Sequence, residues 1–80
     1  MQAVADDDDV VTLSMSLAEL VALREAVAFA DFSGDLPARS EGEVAAIGGF
    51  LRAVDPLIPG LGTDAYDDAV NSAWRDLGSA

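Results

Sequence analysis

Val10-Val11-Thr12-Leu13-Ser14-Met15-Ser16-Leu17-Ala18-Glu19 holds the change of period that sets the fold. Its first six residues alternate in polarity and begin β-branched, which predicts a short strand. Ser16-Leu17-Ala18-Glu19 follows without a break. Ser16 can accept from the amide three residues on while Glu19 reaches back to the Ser16 amide, a capping box that opens a helix. That helix is predicted from Leu17 to about Ala30, with Gly34 and Pro37 ending any continuation. Leu17, Leu20, Val21, Leu23, Val27 and Ala28 share one side of it, and Ala18, Ala22 and Phe29 form a second apolar patch. Arg24 falls inside the apolar arc. Either its stem lies on the core edge with the head in water, or it makes a buried ion pair or anchors an interface.

Toward the C-terminus the same device recurs at Ser40-Glu41-Gly42-Glu43, opening a second helix to about Val54. Asp55-Pro56 is expected to stop it, because the residue before proline avoids helical angles. Val44, Ile47, Phe50, Leu51 and Val54 make one face, and Ala45, Gly49 and Ala53 a smooth stripe opposite. Such a helix is a candidate for the centre of the fold or for a subunit contact. Asp55 to Gly62 holds two Pro and two Gly together with Leu57, Ile58 and Leu61. Thr63 then caps a third helix from Asp64 to Leu77, with Gly78 at its end. Tyr66, Ala69, Val70, Ala73, Trp74 and Leu77 are its inner face, as in an ordinary amphipathic surface helix. The expected fold is mainly α: a short N-terminal β-strand followed by three helices, one domain over residues 10–80.

Toward the N-terminus, residues 1–9 end in Asp6-Asp7-Asp8-Asp9, whose repulsion predicts a disordered acidic tail. Val10–Met15 is then a lone strand whose backbone needs a partner. Two copies pairing those strands, with Ala45, Gly49 and Ala53 as a second contact, would make a homodimer.

Fifteen acids, four Arg, no Lys and no His give a net charge of −11 on 80 residues. Without Asp6 to Asp9 the remainder still carries four Arg against eleven acids, or −7. Such a surface repels nucleic acid and anionic lipid and attracts basic proteins over about 8 Å in physiological salt. The same charge also serves solubility in concentrated salt or follows from coding bias. Half the residues are apolar, fifteen of them Ala, and there is no Cys to staple the core. A chain of this size then keeps roughly 3–5 kcal/mol of net stability. No basic residue precedes an apolar stretch at the start, and the apolar run Val44 to Leu51 is too short to span a bilayer. The expected location is the cytoplasm, and no membrane association is expected.

With no His and no Cys, the commonest general base and the strongest nucleophile are missing, and the chain reads as a non-enzyme without cofactor or metal. Asp31-Phe32-Ser33-Gly34-Asp35 begins like a calcium loop, but Leu36, Arg39 and Gly42 occupy its sixth, ninth and twelfth positions, where Gly, a ligand and Glu are needed. Asp64, Asp67 and Asp68 complement the positive end of their helix, and can serve a partner as well. Arg39 lies among Asp35, Glu41 and Glu43 as a local charge partner.

In size, acidity and helicity the chain resembles acyl carrier proteins. Their motif places an Asp-Ser-Leu serine at a helix start. Ser33 in Phe32-Ser33-Gly34 and Ser40 in Arg39-Ser40-Glu41 depart from it. Over Val10 to Val54, the run Val11 to Leu20, Leu23-Arg24-Glu25-Ala26, Asp31-Phe32 and Pro37-Ala38-Arg39-Ser40 resemble short bacterial immunity or antitoxin proteins. That resemblance implies neutralisation of a toxin, often a basic nuclease, and carries over no binding residue. The expected function is a non-enzymatic acidic interaction module, an inhibitor of a basic nucleic-acid-acting partner, without direct contact to nucleic acid. The alternative is a carrier or scaffold subunit of a larger assembly. Candidate contacts are Asp31, Asp35, Asp64, Asp67 and Asp68, with Leu57, Ile58 and Leu61 as an apolar anchor.

Overall fold

The computed structural model describes residues 1–34 and 39–78. Among these residues three helices follow a two-stranded hairpin: β1 Gln2–Ala5, β2 Val11–Ser14, α1 Leu17–Ser33, α2 Glu41–Val54, a 3-10 turn Asp55–Leu57, and α3 Asp64–Gly78. The fold is mainly α, as expected.

The capping box forms: Ser16 Oγ accepts from the Glu19 amide at 3.1 Å and Glu19 Oε1 from the Ser16 amide at 2.9 Å. α1 runs three residues past Ala30 and closes at Gly34, whose φ of 81° only glycine takes without strain. At α2 the box is half made. Ser40 Oγ accepts from the Glu43 amide, but Glu43 turns to the Arg39 amide at 2.8 Å instead of that of Ser40. α2 ends at Val54 with Asp55 as its C-cap, as expected, although Asp55 itself keeps helical angles, φ −54° and ψ −41°. The chain then tightens into the 3-10 turn, where the missing N–H of Pro56 is not needed. The Thr63 hydroxyl donates to the Gly60 carbonyl at 2.6 Å, fixing the turn that enters α3.

Residues 1–9 are a strand and a turn, not a tail. β1 pairs antiparallel with β2 in the register Gln2 to Ser14 and Ala5 to Val11. The four aspartates form the turn between them. Asp7 Oδ1 accepts from the Asp9 and Val10 amides at 2.8 and 3.0 Å, and the Thr12 hydroxyl donates to Asp6. Aspartate closes turns through such side-chain bonds, and here that outweighs the repulsion. β2 therefore finds its partner within the chain, and the unpaired strand that suggested a dimer is gone.

The core is small: Val21, Ile58, Tyr66, Val70 and Ala73, with Ala18, Leu20, Ala22, Leu61 and Ala69 packed against it. It is built by α1, α3 and the turn between α2 and α3. The central helix is α1, not α2, for α2 buries none of its residues and lies along one side of α1. The stripe expected to meet another helix is open, with Ala45 and Ala53 exposed. Among the described residues no helix is long and apolar enough to cross a membrane.

The molecule is more open than its size requires. Its radius of gyration is 13.9 Å, against about 12 Å for a compact 80-residue domain. Its accessible surface is 5760 Å², about 1,200 Å² above the value for a compact monomer of this mass.

Candidate functional site

The hairpin, α1 and α2 leave an apolar depression between them. Met1, Leu13, Met15, Leu23, Val27, Ala46, Ile47 and Phe50 line a cleft of about 380 Å³. A second hollow shares Leu13, Met15 and Phe50 with it and continues to Leu20, Val54 and Leu57. Together they make one groove. From Val27 to Leu20 it follows two turns of α1, roughly 10 Å at 1.5 Å per residue. The first cleft has no polar residue in its lining, whereas small-molecule pockets place a few polar groups to orient their ligand. An apolar trough of this length instead matches the i, i+4, i+7 anchors of an amphipathic helix.

Acidic groups flank it. Asp31 stands one helical turn beyond Val27 and Glu43 one turn before Ile47, so both mark the end where α1 turns into α2. Glu43 is compensated by Arg39 at 3.2 Å, and the bonds it accepts from the Arg39 amide and guanidinium hold its carboxyl below the ordinary range. Asp31 is exposed and forms no ion pair among the described residues. Across the hairpin, the Met1 amino group meets Glu19 at 3.3 Å. The Ser16 amide first, and then this amino group, lower the Glu19 pKa.

The other expected residues separate. Asp64, Asp67 and Asp68 are exposed together on the outer side of α3, away from the groove. Asp35 lies outside the described residues. The apolar anchor expected from three residues is reduced to one. Ile58 is a core residue and Leu61 packs against that core, so neither is available to a partner. Leu57, 64% exposed, borders the far end of the groove. No three acidic side chains among the described residues are placed to hold a metal ion.

Between α1, α3 and the 3-10 turn Arg24 is tied down. Its Nε donates to Asp55 Oδ1 at 2.9 Å and its Nη1 to the Tyr66 hydroxyl at 3.2 Å; that hydroxyl donates to Glu25 Oε2 at 2.6 Å. The guanidinium also lies 5.4 Å from the Tyr66 ring centre. The bond to Asp55 raises the Arg24 pKa further, and burial, then Glu25, raises that of Tyr66. No buried side-chain polar atom lacks a partner among the described residues. The network joins α1, α3 and the 3-10 turn, so Arg24 serves the fold.

The sequence placed Leu23, Val27, Ile47 and Phe50 on apolar helix faces without saying what covers them, because helical periodicity identifies only the face. The available signal was the number of apolar faces, three helices and a strand, in a chain too short to bury all of them. Comparison with protein-family models, with curated proteins and with solved structures finds no match to this chain.

Proposed function

We propose that the protein is an acidic docking module that takes an amphipathic, basic segment of another protein into the groove between the hairpin, α1 and α2. The observation that carries this reading is the open apolar groove, together with surface in excess of a compact monomer by about 1,200 Å². A standard interface buries about 800 Å² per partner. Apolar anchors filling the groove supply the buried centre that interfaces need, and Asp31 at its end, with the net charge of −11, favours basic flanks and speeds encounter.

In its finer form the module inhibits a nucleic-acid-acting protein, of the immunity or antitoxin kind that the resemblance over Val10 to Val54 implies. Its carboxylates would then occupy the surface that otherwise holds phosphates. Association with a second copy is opposed by charge, because each chain brings −11. Salt separates the two: it weakens docking of a basic partner and strengthens contact between like-charged copies.

The probe is a synthetic helix with Leu at i, i+4 and i+7 and Arg on its other faces, titrated by calorimetry from 20 to 500 mM salt. Binding that weakens steeply with salt, and falls at least tenfold in Phe50→Ser or Ile47→Ser, supports the reading. Affinity that ignores salt, or that survives both substitutions, sinks it. Asp31→Asn is expected to slow association more than it speeds dissociation.

A further inference from the structure

On the opposite side of α1 from Leu20 and Val27, a separate cleft of about 350 Å³ is lined by Glu25, Ala26 and Phe29 of α1 and Trp74 of α3. We propose that this cleft is a binding pocket for a cationic side chain, an arginine guanidinium of the basic partner; this rests on the docking reading and names a chemical contact within it.

Two large aromatics stand there half in water. Phe29 is 65% and Trp74 55% exposed. Neither belongs to the core. Aromatic faces, tryptophan above all, attract a cation through the ring quadrupole, and guanidinium adds flat stacking. Glu25 completes the lining. It accepts from Tyr66 through Oε2, while its Oε1 takes part in no hydrogen bond among the described residues. Arg24, 3.9 Å from Glu25, is shared with Asp55 at 2.9 Å, so the three groups together retain one negative charge.

A purely apolar occupant would strip water from Glu25 and give nothing back. A guanidinium would stack on the rings and pair with the free oxygen. The chain already shows this chemistry one step away, where Arg24 lies over the Tyr66 ring and bonds Asp55. The groove beyond Leu23 and Ile47 has no carboxylate in its lining. The two sites thus divide the partner's side chains: apolar anchors to the groove, a cation to the Phe29–Trp74 cleft.

Trp74 is the only tryptophan of the chain, so its fluorescence reports this cleft alone. The full chain is titrated at low, constant ionic strength with N-acetyl-arginine amide, and in parallel with N-acetyl-citrulline amide, a neutral isostere. The expected result is a saturable change with arginine and at least tenfold weaker binding of citrulline. Glu25→Gln, which keeps an acceptor for Tyr66, weakens the arginine response about tenfold, and Phe29→Leu about threefold or more. Circular dichroism melts of both variants verify folding. A linear response, equal responses to the two amides, or unchanged binding in both variants overturns the pocket.

The basic helical probe separates this from the docking reading. If it binds in a salt-dependent manner and Phe29→Leu leaves its affinity unchanged, the pocket is wrong and docking stands. If it fails to bind while arginine amide saturates, docking falls and the pocket stands.

Discussion

Replacing Tyr66 by Phe removes one oxygen from the junction of α1, α3 and the 3-10 turn and changes almost nothing else. The ring stays in the core, the contact of Arg24 with its face stays, and so does the Arg24–Asp55 pair. What is lost is the bond given to Glu25 at 2.6 Å and the bond taken from Arg24 at 3.2 Å. A hydrogen bond to a charged group is worth about 1.5–3 kcal/mol net. The Arg24 and Glu25 side chains are 17% and 28% exposed, so water recovers part of what each loses. The expected cost of Tyr66→Phe is therefore about 1.5 kcal/mol, or about 6–12 °C in Tm for a domain of this size. Against roughly 3–5 kcal/mol of total stability that is a large share.

Urea and thermal unfolding followed by far-ultraviolet circular dichroism at pH 7 measure it, and the m-value should not change. In a cycle with Glu25→Gln the two substitutions should couple by about 1 kcal/mol. A second readout comes from pH. Tyr66 is the only tyrosine, so its ionisation is visible by absorbance. Burial, and next Glu25, raise its folded pKa above the ordinary value of 10.0. The folded state holds the proton more tightly, so this contribution is complete below about pH 10 and disappears as pH rises through the folded value. Wild type should therefore lose stability in alkali over a range where Tyr66→Phe does not. A cost below about 0.5 kcal/mol, or an identical alkaline decline in the variant, would refute the network as a structural tie.

Neighbouring residues of the same apolar stretch should behave oppositely. Ile58→Ala removes core volume and costs about 2–4 kcal/mol, enough to unfold much of the population, while Leu57→Ala stays within about 0.5 kcal/mol; urea midpoints decide. Ser16→Ala deletes the cap of α1 and costs about 1 kcal/mol. The Ser16 amide and the chain's amino group lower the Glu19 pKa, so the stabilisation from that carboxylate is present above its ordinary value of 4.5 and fades as pH falls through the lowered one. The gap between wild type and Glu19→Gln should accordingly narrow in acid, as judged by melts from pH 7 down to 3. Gly60→Ala should cost more than Gly34→Ala. Both have positive φ, but at Gly60 an added Cβ would sit 3.0 Å from that of Ala65, whereas at Gly34 nothing lies within 4 Å.

The helices were legible because their starts are written locally, in Ser16 with Glu19 and in Ser40 before Glu43, and their stops in Gly34 and Gly78. The hairpin was not. Gln2–Ala5 is short and half alanine, a poor strand former, and gains its β character only from pairing with Val11–Ser14. The four aspartates were weighed as charges when their side-chain oxygens act as turn closers. Arg24 stood out as a charge in an apolar arc, but its partners Asp55 and Tyr66 are 31 and 42 residues away, beyond any local pattern. Of the candidate contacts, the exposed aspartates could be read from composition. Ile58 could not be told from Leu57, because which of two adjacent apolar residues turns inward depends on the 3-10 turn before them.

That α2 buries no side chain has a consequence for how the molecule breathes. Its backbone bonds are held by the helix itself and by one flank of α1, so its amides should exchange with deuterium through sub-global openings cheaper than full unfolding. α1 and α3, which share the core, should exchange only near the global limit. A ligand bound between α2 and the hairpin, as proposed, would close that gap, adding about 2.7 kcal/mol of protection when present at a hundred times its Kd. The slow-down of α2 exchange is then a label-free gauge of occupancy, readable before the occupant has been identified.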